Sequence, residues 1–118
     1  MRSVDHPNIV KLHEIYLDHD YLHIVTELLD GGEISGKFTE REAARIVRQA
    51  LQALKYLHDL KIAHRDLKTE NMIFCKNRQF VKLIDFGLSK FCSSSKFTAT
   101  MGTPDYTAPE VLKGKYTF

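Results

Sequence analysis

The stretch that decides the fold is HRDLKTEN, residues 64–71. It is polar, stands between apolar segments and is predicted to be a loop. Two further loop motifs follow it in order: Asp85-Phe86-Gly87 and Ala108-Pro109-Glu110. Three such motifs in this order make a chance match negligible, so these loops are predicted to carry the chemistry of the protein.

The three motifs match the catalytic loop, the metal-binding loop and the end of the activation segment of protein kinases. The chain therefore resembles a eukaryotic-type protein kinase domain from about His6 to its last residue. Leu88-Ser89-Lys90 is similar to the calmodulin-dependent and calcium-dependent kinase group. The resemblance implies an α+β, protein-kinase-like fold that is partial: the end of the N-lobe sheet, the hinge and the first half of the helical C-lobe. Residues 1–29 are then N-lobe strands and hinge, and residues 30–118 run from the start of the C-lobe through the activation segment.

The resemblance also assigns catalytic roles. Phosphoryl transfer depends on positioning and on neutralising charge more than on covalent chemistry. Asp66 would orient the attacking hydroxyl and accept its proton, and Lys68 would meet the charge that develops on the transferred group. Asn71 and Asp85 are oxygen ligands from two different loops, which suits Mg²⁺ bound mainly by the phosphates of ATP and by water. The alternative is a purely structural role, in which these side chains only cap the turns of their own loops.

Lys68 and the segment Gly102–Glu110 indicate the substrate class. Lys68 stands two residues after Asp66, and residues 102–110 look like the G-T-P-x-Y-x-A-P-E segment of kinases that act on Ser or Thr. By this resemblance Thr103 would bond Asp66 and Lys68, and Tyr106 would line the acceptor groove. The expected partners are protein substrates with Ser or Thr acceptors. The alternative is that Lys68 and Thr103 are an ordinary solvated pair of side chains.

The remaining predicted binding residues concern ATP. By resemblance, backbone groups of Glu27 and Leu29 in the hinge would pair with the adenine edge, and Ile73 would form the apolar floor beneath the ring. Glu33 would reach the ribose, and it would favour a basic residue upstream of the acceptor, to which Glu70 could add. For Glu33 and Glu70, ordinary surface charge is the competing interpretation.

Hydrophobic periodicity predicts the elements that hold these loops. Alternation predicts strands over residues 9–17 and 21–28, joined as a hairpin by the polar turn 18–20. A capping box that begins at Thr39 predicts a helix over about residues 40–59. Two short strands, 72–74 and 80–84, follow, and residues 85–110 are predicted to be a long loop. The buried face of the helix is predicted to contain Ala43, Ile46, Val47, Ala50, Leu51, Leu54 and Leu57.

Composition narrows the class of protein. The 118 residues contain 17 Lys and Arg against 15 Asp and Glu, a net charge of +2, which argues against nucleic-acid binding as the main function. Two cysteines cannot build a disulfide scaffold or a four-ligand zinc site. No signal peptide and no apolar run long enough for a membrane span are seen. The expectation is an intracellular protein, in the cytoplasm.

The sequence also departs from the family pattern. Upstream of His6 we find no Gly-rich loop and no strand lysine, and residues 33–38 are shorter than the helical segment usual there. Thr69 replaces a common proline, and Ala99 occupies the usual phosphosite between Thr98 and Thr100. Three alternatives therefore stay open: a piece of an active kinase, a catalytically inactive kinase remnant that acts as a binding or regulatory module, and a product without a stable fold.

Overall fold

A computed structural model describes residues 4–92, 97, 101–114 and 116–117. Short antiparallel strand pairs and one long helix make up most of the described structure. The strands are β1 (Leu12–Asp18), β2 (Tyr21–Thr26), β3 (Ile62–Ala63), β4 (Met72–Cys75), β5 (Phe80–Leu83) and β6 (Lys90–Phe91). The helices are α1 (Glu40–Asp59) and α2 (Pro109–Leu112), and Thr69–Asn71 and Pro104–Tyr106 form 3₁₀ turns. The mixture of one long helix and short antiparallel pairs agrees with the expected α+β class.

Strands β1 and β2 form the first hairpin, and Asp18 pairs with Tyr21 across the predicted turn. The strands are shorter than predicted, because residues 9–11 and 27–28 lie outside them. Ile9 instead forms a parallel bridge to Leu83, and the Val10 N–H donates to the Leu83 carbonyl over 2.9 Å. Ile9 and Val10 are apolar like many residues of the strand that follows, so the sequence could not show that they belong to a different sheet.

Helix α1 begins as predicted. Thr39 and Glu42 form a capping box, in which the Glu42 carboxylate accepts from the Thr39 N–H over 2.9 Å and the Thr39 hydroxyl accepts from the Glu42 N–H over 3.3 Å. The predicted buried face was too wide, because Val47 and Leu51 are more than half exposed. Both lie one residue, about 100° of helical rotation, past a buried position. The buried residues of the helix are Ile46, Ala50, Ala53 and Leu57.

The second hairpin, β4–β5, lies against this helix and carries the core. Met72 packs against two clusters of buried residues. Gly31 allows a close backbone approach to the hairpin, since a Cβ at this position would lie 2.4 Å from the Phe74 carbonyl carbon. Its N–H donates to the Phe74 carbonyl over 2.9 Å. The first cluster consists of Ile9, Ala53, Leu57, Ile62 and Leu83. The second consists of Ile34, Ile46, Phe74 and Val81.

The predicted long loop over residues 85–110 contains more structure than its composition indicated. Strand β6 pairs with β3, and the 3₁₀ turn 104–106 and helix α2 follow. The candidate phosphosites Thr98 and Thr100, the alanine between them and the serines 93–95 lie outside the described residues. Residues 33–38 form no helix, and Glu33 forms an isolated bridge to Ile73. No helix in the described part of the chain is long and apolar enough to cross a membrane.

Candidate functional site

The centre of the site is the carboxylate of Asp66, in the loop between β3 and β4. The Thr103 hydroxyl donates to its Oδ1 over 2.7 Å. Its Oδ2 accepts from the Asn71 amide over 2.9 Å and lies 3.0 Å from the Lys68 ammonium. The structure thus brings together all four residues predicted to be catalytic, and it buries Asp66 and Asn71.

Thr103 joins two loops that are distant in sequence. Its hydroxyl accepts from Lys68 over 2.9 Å while it donates to Asp66, so the contacts expected for it are present. The Thr107 hydroxyl holds the same segment by donating to the Thr103 carbonyl over 2.8 Å. Gly102 permits this approach, because its φ is +118° and an added Cβ would lie 2.9 Å from the Arg65 carbonyl oxygen. A side chain at residue 102 would therefore push the two loops apart.

These contacts set the charges at the centre. The hydrogen bond from Thr103 is the largest influence that lowers the pKa of Asp66, with further lowering by Lys68 and Asn71. The hydrogen bond to Asp66 in turn raises the pKa of Lys68. At neutral pH the pair is therefore a carboxylate beside an ammonium, and the carboxylate is a weak base that is suited to orienting a hydroxyl.

His64 is buried and contacts both its own loop and the loop that follows β5. Burial lowers its pKa, although the Ile84 carbonyl and the charges of Asp66 and Asp85 oppose this effect. The Asp66 N–H donates to Nδ1 over 3.3 Å, so the proton of the neutral ring is assigned to Nε2, which faces the Ile84 carbonyl at 3.4 Å. The ring also contacts Phe86, with centroids 5.1 Å apart. His64 thereby connects the loop over residues 64–71 to the Asp85-Phe86-Gly87 loop.

Asn71 and Asp85 fit a divalent cation that takes most of its ligands from elsewhere. The Asn71 amide nitrogen donates to the Asp66 carbonyl and carboxylate, which fixes the side chain and leaves the amide oxygen for a ligand. The backbone carbonyl of Asn71 accepts from the N–H of Ile84, the residue before Asp85, over 2.9 Å. No group of three His, Cys, Asp or Glu that could hold a metal occurs among the described residues. Two protein oxygens suit Mg²⁺ when phosphate and water complete its coordination.

The residues predicted to bind the nucleotide lie around the second hairpin. Glu33 is exposed and bridges Ile73, which is half-buried. The Glu27 N–H already donates to the Lys11 carbonyl over 3.0 Å, so only its carbonyl could serve an adenine. Leu29 is half-buried, and its backbone forms no hydrogen bond to another described residue. The binding roles of all four, and of Asp85, stay predictions.

Sequence reasoning missed two sets of contacts. The Lys82 ammonium, which is largely buried, pairs with the Glu27 carboxylate and ties the segment after β2 to β5. Thr69 contacts both Glu70 and Tyr106. The sequence contained one signal for the Lys82–Glu27 pair, which was a lysine between Val81 and Leu83 in a buried strand. For the contacts of Thr69, the only signal was the unusual residue type at position 69.

Comparison with known proteins agrees with this geometry. A family model described as "Protein kinase domain" matches residues 1–117. The chain is 43% identical to "Calcium-dependent protein kinase 5" of Plasmodium falciparum over 98% of its length and 22% of that protein. It is 42% identical to "Calcium/calmodulin-dependent protein kinase type 1" of Macrobrachium nipponense over 98% of the chain and 36% of the relative. It is 48% identical to a "Probable myosin light chain kinase" of Dictyostelium discoideum over 95% of the chain and 38% of the relative. The chain thus spans well under half the length of these curated relatives.

Proposed function

The chain belongs to the protein kinase domain family, and on that premise we propose that it is the central part of an ATP-dependent protein serine/threonine kinase. The reaction is transfer of the γ-phosphoryl group of ATP to a Ser or Thr hydroxyl of a protein substrate. The observation that carries the proposal is the Asp66 carboxylate held by Thr103, Lys68 and Asn71. A set that only capped local turns would have no need of a partner 37 residues away.

In this proposal Asp66 orients the acceptor hydroxyl and takes its proton as the new bond to phosphorus forms. Its lowered pKa keeps it ionised, so the proton moves late, when the hydroxyl has become acidic. Thr103 occupies one carboxylate oxygen by donating to it. An incoming hydroxyl can use a remaining lone pair of the same group.

Lys68 supplies positive charge beside Asp66, where negative charge develops on the transferred group. Asn71 and Asp85 would hold Mg²⁺ through one oxygen each. Bound there, the cation neutralises charge on the ATP phosphates. The adenine is assigned to the Glu27 carbonyl, the Leu29 backbone and the Ile73 side chain, and Glu33 is assigned to the ribose.

Two features support a Ser or Thr acceptor and an intracellular site of action. Lys68 and Thr103 are hydrogen-bonded to each other at the catalytic carboxylate, which is the pairing that the Ser/Thr class implies. Cys75 is a free and buried thiol, as expected in the reducing cytoplasm. We therefore assign cytoplasmic protein substrates.

The test is phosphate transfer from labelled ATP by the natural full-length protein to matched peptides with Ser, Thr or Tyr as the acceptor. The Asp66→Asn substitution keeps the shape of the side chain and removes its charge, and it should lower kcat by about 10²–10⁴-fold. Asp20→Asn, in the exposed turn of the first hairpin, is the matched control and should leave kcat unchanged.

The result has three informative forms. Transfer to Ser and Thr but not to Tyr supports the proposal. Transfer that survives Asp66→Asn would remove the role given to Asp66. A folded wild-type protein that transfers no phosphate to any peptide would instead favour the inactive binding module.

A further inference from the structure

Thr69 is the first residue of the 3₁₀ turn Thr69–Asn71, directly after Lys68. The turn itself does not need a threonine. The first position of a helical turn accepts proline, and Lys68 is extended, with φ −155° and ψ 165°, which is the conformation that a following proline requires. The hydroxyl of Thr69 is therefore not required to form the turn.

That hydroxyl contacts two side chains at once. It donates to the Glu70 carboxylate over 2.9 Å and lies 3.0 Å from the Tyr106 hydroxyl. The Tyr106 hydroxyl in turn lies 3.3 Å from the same Glu70 oxygen. Three polar groups thus meet in one triangle, and one of them belongs to the segment that also supplies Thr103. The Tyr106 N–H donates to the Thr103 carbonyl over 3.0 Å, so the triangle is joined to the catalytic centre through the backbone.

The carboxylate in this triangle carries a charge that is not neutralised within the described part of the chain. None of the ion pairs found there includes Glu70. An ionised and exposed carboxylate held at the edge of the acceptor region attracts a cationic side chain of the substrate.

We propose that Thr69 is a positioning residue that strengthens the preference of the acceptor site for a basic residue upstream of the Ser or Thr, because its hydroxyl fixes Glu70 against Tyr106. This inference rests on the proposed kinase function and on the role of Glu70 within it. Among the described residues, the hydrogen bonds of the Thr69 hydroxyl go to Glu70 and Tyr106 and not to Asp66 or Lys68. It limits the rotamers of Glu70, so that less conformational freedom is lost when a basic side chain binds.

The test uses the natural full-length protein and two Ser peptides that differ only in the three residues before the acceptor, Arg in one and Ala in the other. Thr69→Val removes the hydroxyl and keeps the branched shape. Thr69→Pro removes the hydroxyl and keeps the turn, and Thr69→Ser keeps the hydroxyl. With Val or Pro at position 69 we expect KM for the Arg peptide to rise about three- to ten-fold, the effect of one hydrogen bond of moderate strength. KM for the Ala peptide and kcat for both peptides should stay within about two-fold, and Thr69→Ser should behave as the wild type.

Each other outcome contradicts the inference in a recognisable way. Equal changes in KM for the two peptides would mean that Thr69 serves only the structure of the loop. An unchanged preference in Thr69→Pro would mean that the hydroxyl is not used, and this variant decides the matter if Thr69→Val does not fold. If the wild-type protein phosphorylates the Arg and Ala peptides equally well, Glu70 has no basic partner to recognise. If it phosphorylates neither, the proposed function itself fails, which the wild-type measurement shows before any variant is compared.

Discussion

The two hairpins of this protein are both short, antiparallel and rich in apolar residues, yet they occupy opposite environments. In β4–β5 the side chains of Phe74, Cys75, Val81 and Leu83 are buried. In β1–β2 no described residue is buried, and Leu17 and Leu22 are 77% and 62% exposed. Local pattern therefore decides that a hairpin forms, and contact with a helix decides which hairpin becomes core.

This difference explains where the candidate site lies. Asn71 directly precedes β4 and Asp85 follows β5, so both loops leave a hairpin that packing against α1 holds in place. A site of this kind requires side chains fixed by their surroundings. The β1–β2 hairpin offers no such support within the described residues.

The largest effect on the free energy of unfolding is expected when the same substitution, Leu to Ala, is made in each of the two hairpins. Leu83→Ala empties a fully buried position and should lower the free energy of unfolding by about 3–5 kcal/mol. Leu22→Ala removes the same atoms from an exposed position, where a change within about 0.5 kcal/mol is expected. Urea unfolding of both variants measures the two values. A cost at Leu22 as large as that at Leu83 would mean that the first hairpin is packed against another part of the protein.

The residues of the site could be predicted because their chemistry is written in contiguous motifs. Asp66, Lys68 and Asn71 lie within six residues of each other in the HRDLKTEN stretch, and a single turn brings them together. Thr103 was reached only through family resemblance, since neither spacing nor periodicity links it to Asp66. The helix α1 and the β4–β5 hairpin were also predictable, because a capping box and strand alternation are local signals.

The failures share a physical cause. Strands β3 and β6 have two residues each, too few to show any period. Ile9 and Val10 are apolar residues shortly before β1, yet they pair with β5. Val47 and Leu51 fit a helical stripe but face no described element. In each instance the deciding fact was whether a residue contacts others that are distant in sequence, which a local pattern does not contain.

The second prediction concerns the covered edge of β5. Asn8 is buried, and its amide donates to the Val81 carbonyl and to Gln49 Oε1, both over 2.8 Å. The backbone carbonyl of Asn8 accepts from the Leu83 N–H over 2.9 Å. Asn8→Ala leaves the Val81 carbonyl without this donor and should cost about 1–3 kcal/mol of unfolding free energy.

Hydrogen exchange distinguishes this local effect from a general one. In Asn8→Ala the amides of β5 should lose more protection than those of β1 and β2. Gln52→Ala, on the exposed side of α1, is the control and should change the unfolding free energy by less than about 0.5 kcal/mol. If Asn8→Ala costs no more than the control, the segment before β1 does not hold the buried hairpin in place.

The smallest expected effect is a dependence of stability on pH that arises where the buried hairpin meets the site. Burial lowers the pKa of His64, whose ring faces the carbonyl of Ile84, the residue after β5. In the unfolded chain this histidine binds a proton near its ordinary value of 6.5, so below that pH the unfolded state holds more protons than the folded state. Stability is therefore complete above about pH 6.5 and falls as the pH decreases towards the lowered pKa, by at most about 1.4 kcal/mol per pH unit for one proton.

Asp66 acts in a separate window, which keeps the two effects apart. Because its pKa is lowered, its contribution is lost only when the pH falls below its ordinary value of 3.8 and through the folded value. Burial also lowers the pKa of His6 and His58, so the slope of the wild type between pH 7 and pH 5 is a sum. Unfolding of His64→Gln over this range should show a smaller slope than the wild type, whatever the absolute stability of the variant. Equal slopes would mean that the ring of His64 is protonated as easily in the folded protein as in the unfolded chain, and the loop that carries Asp66 would then not be supported by a neutral, buried imidazole.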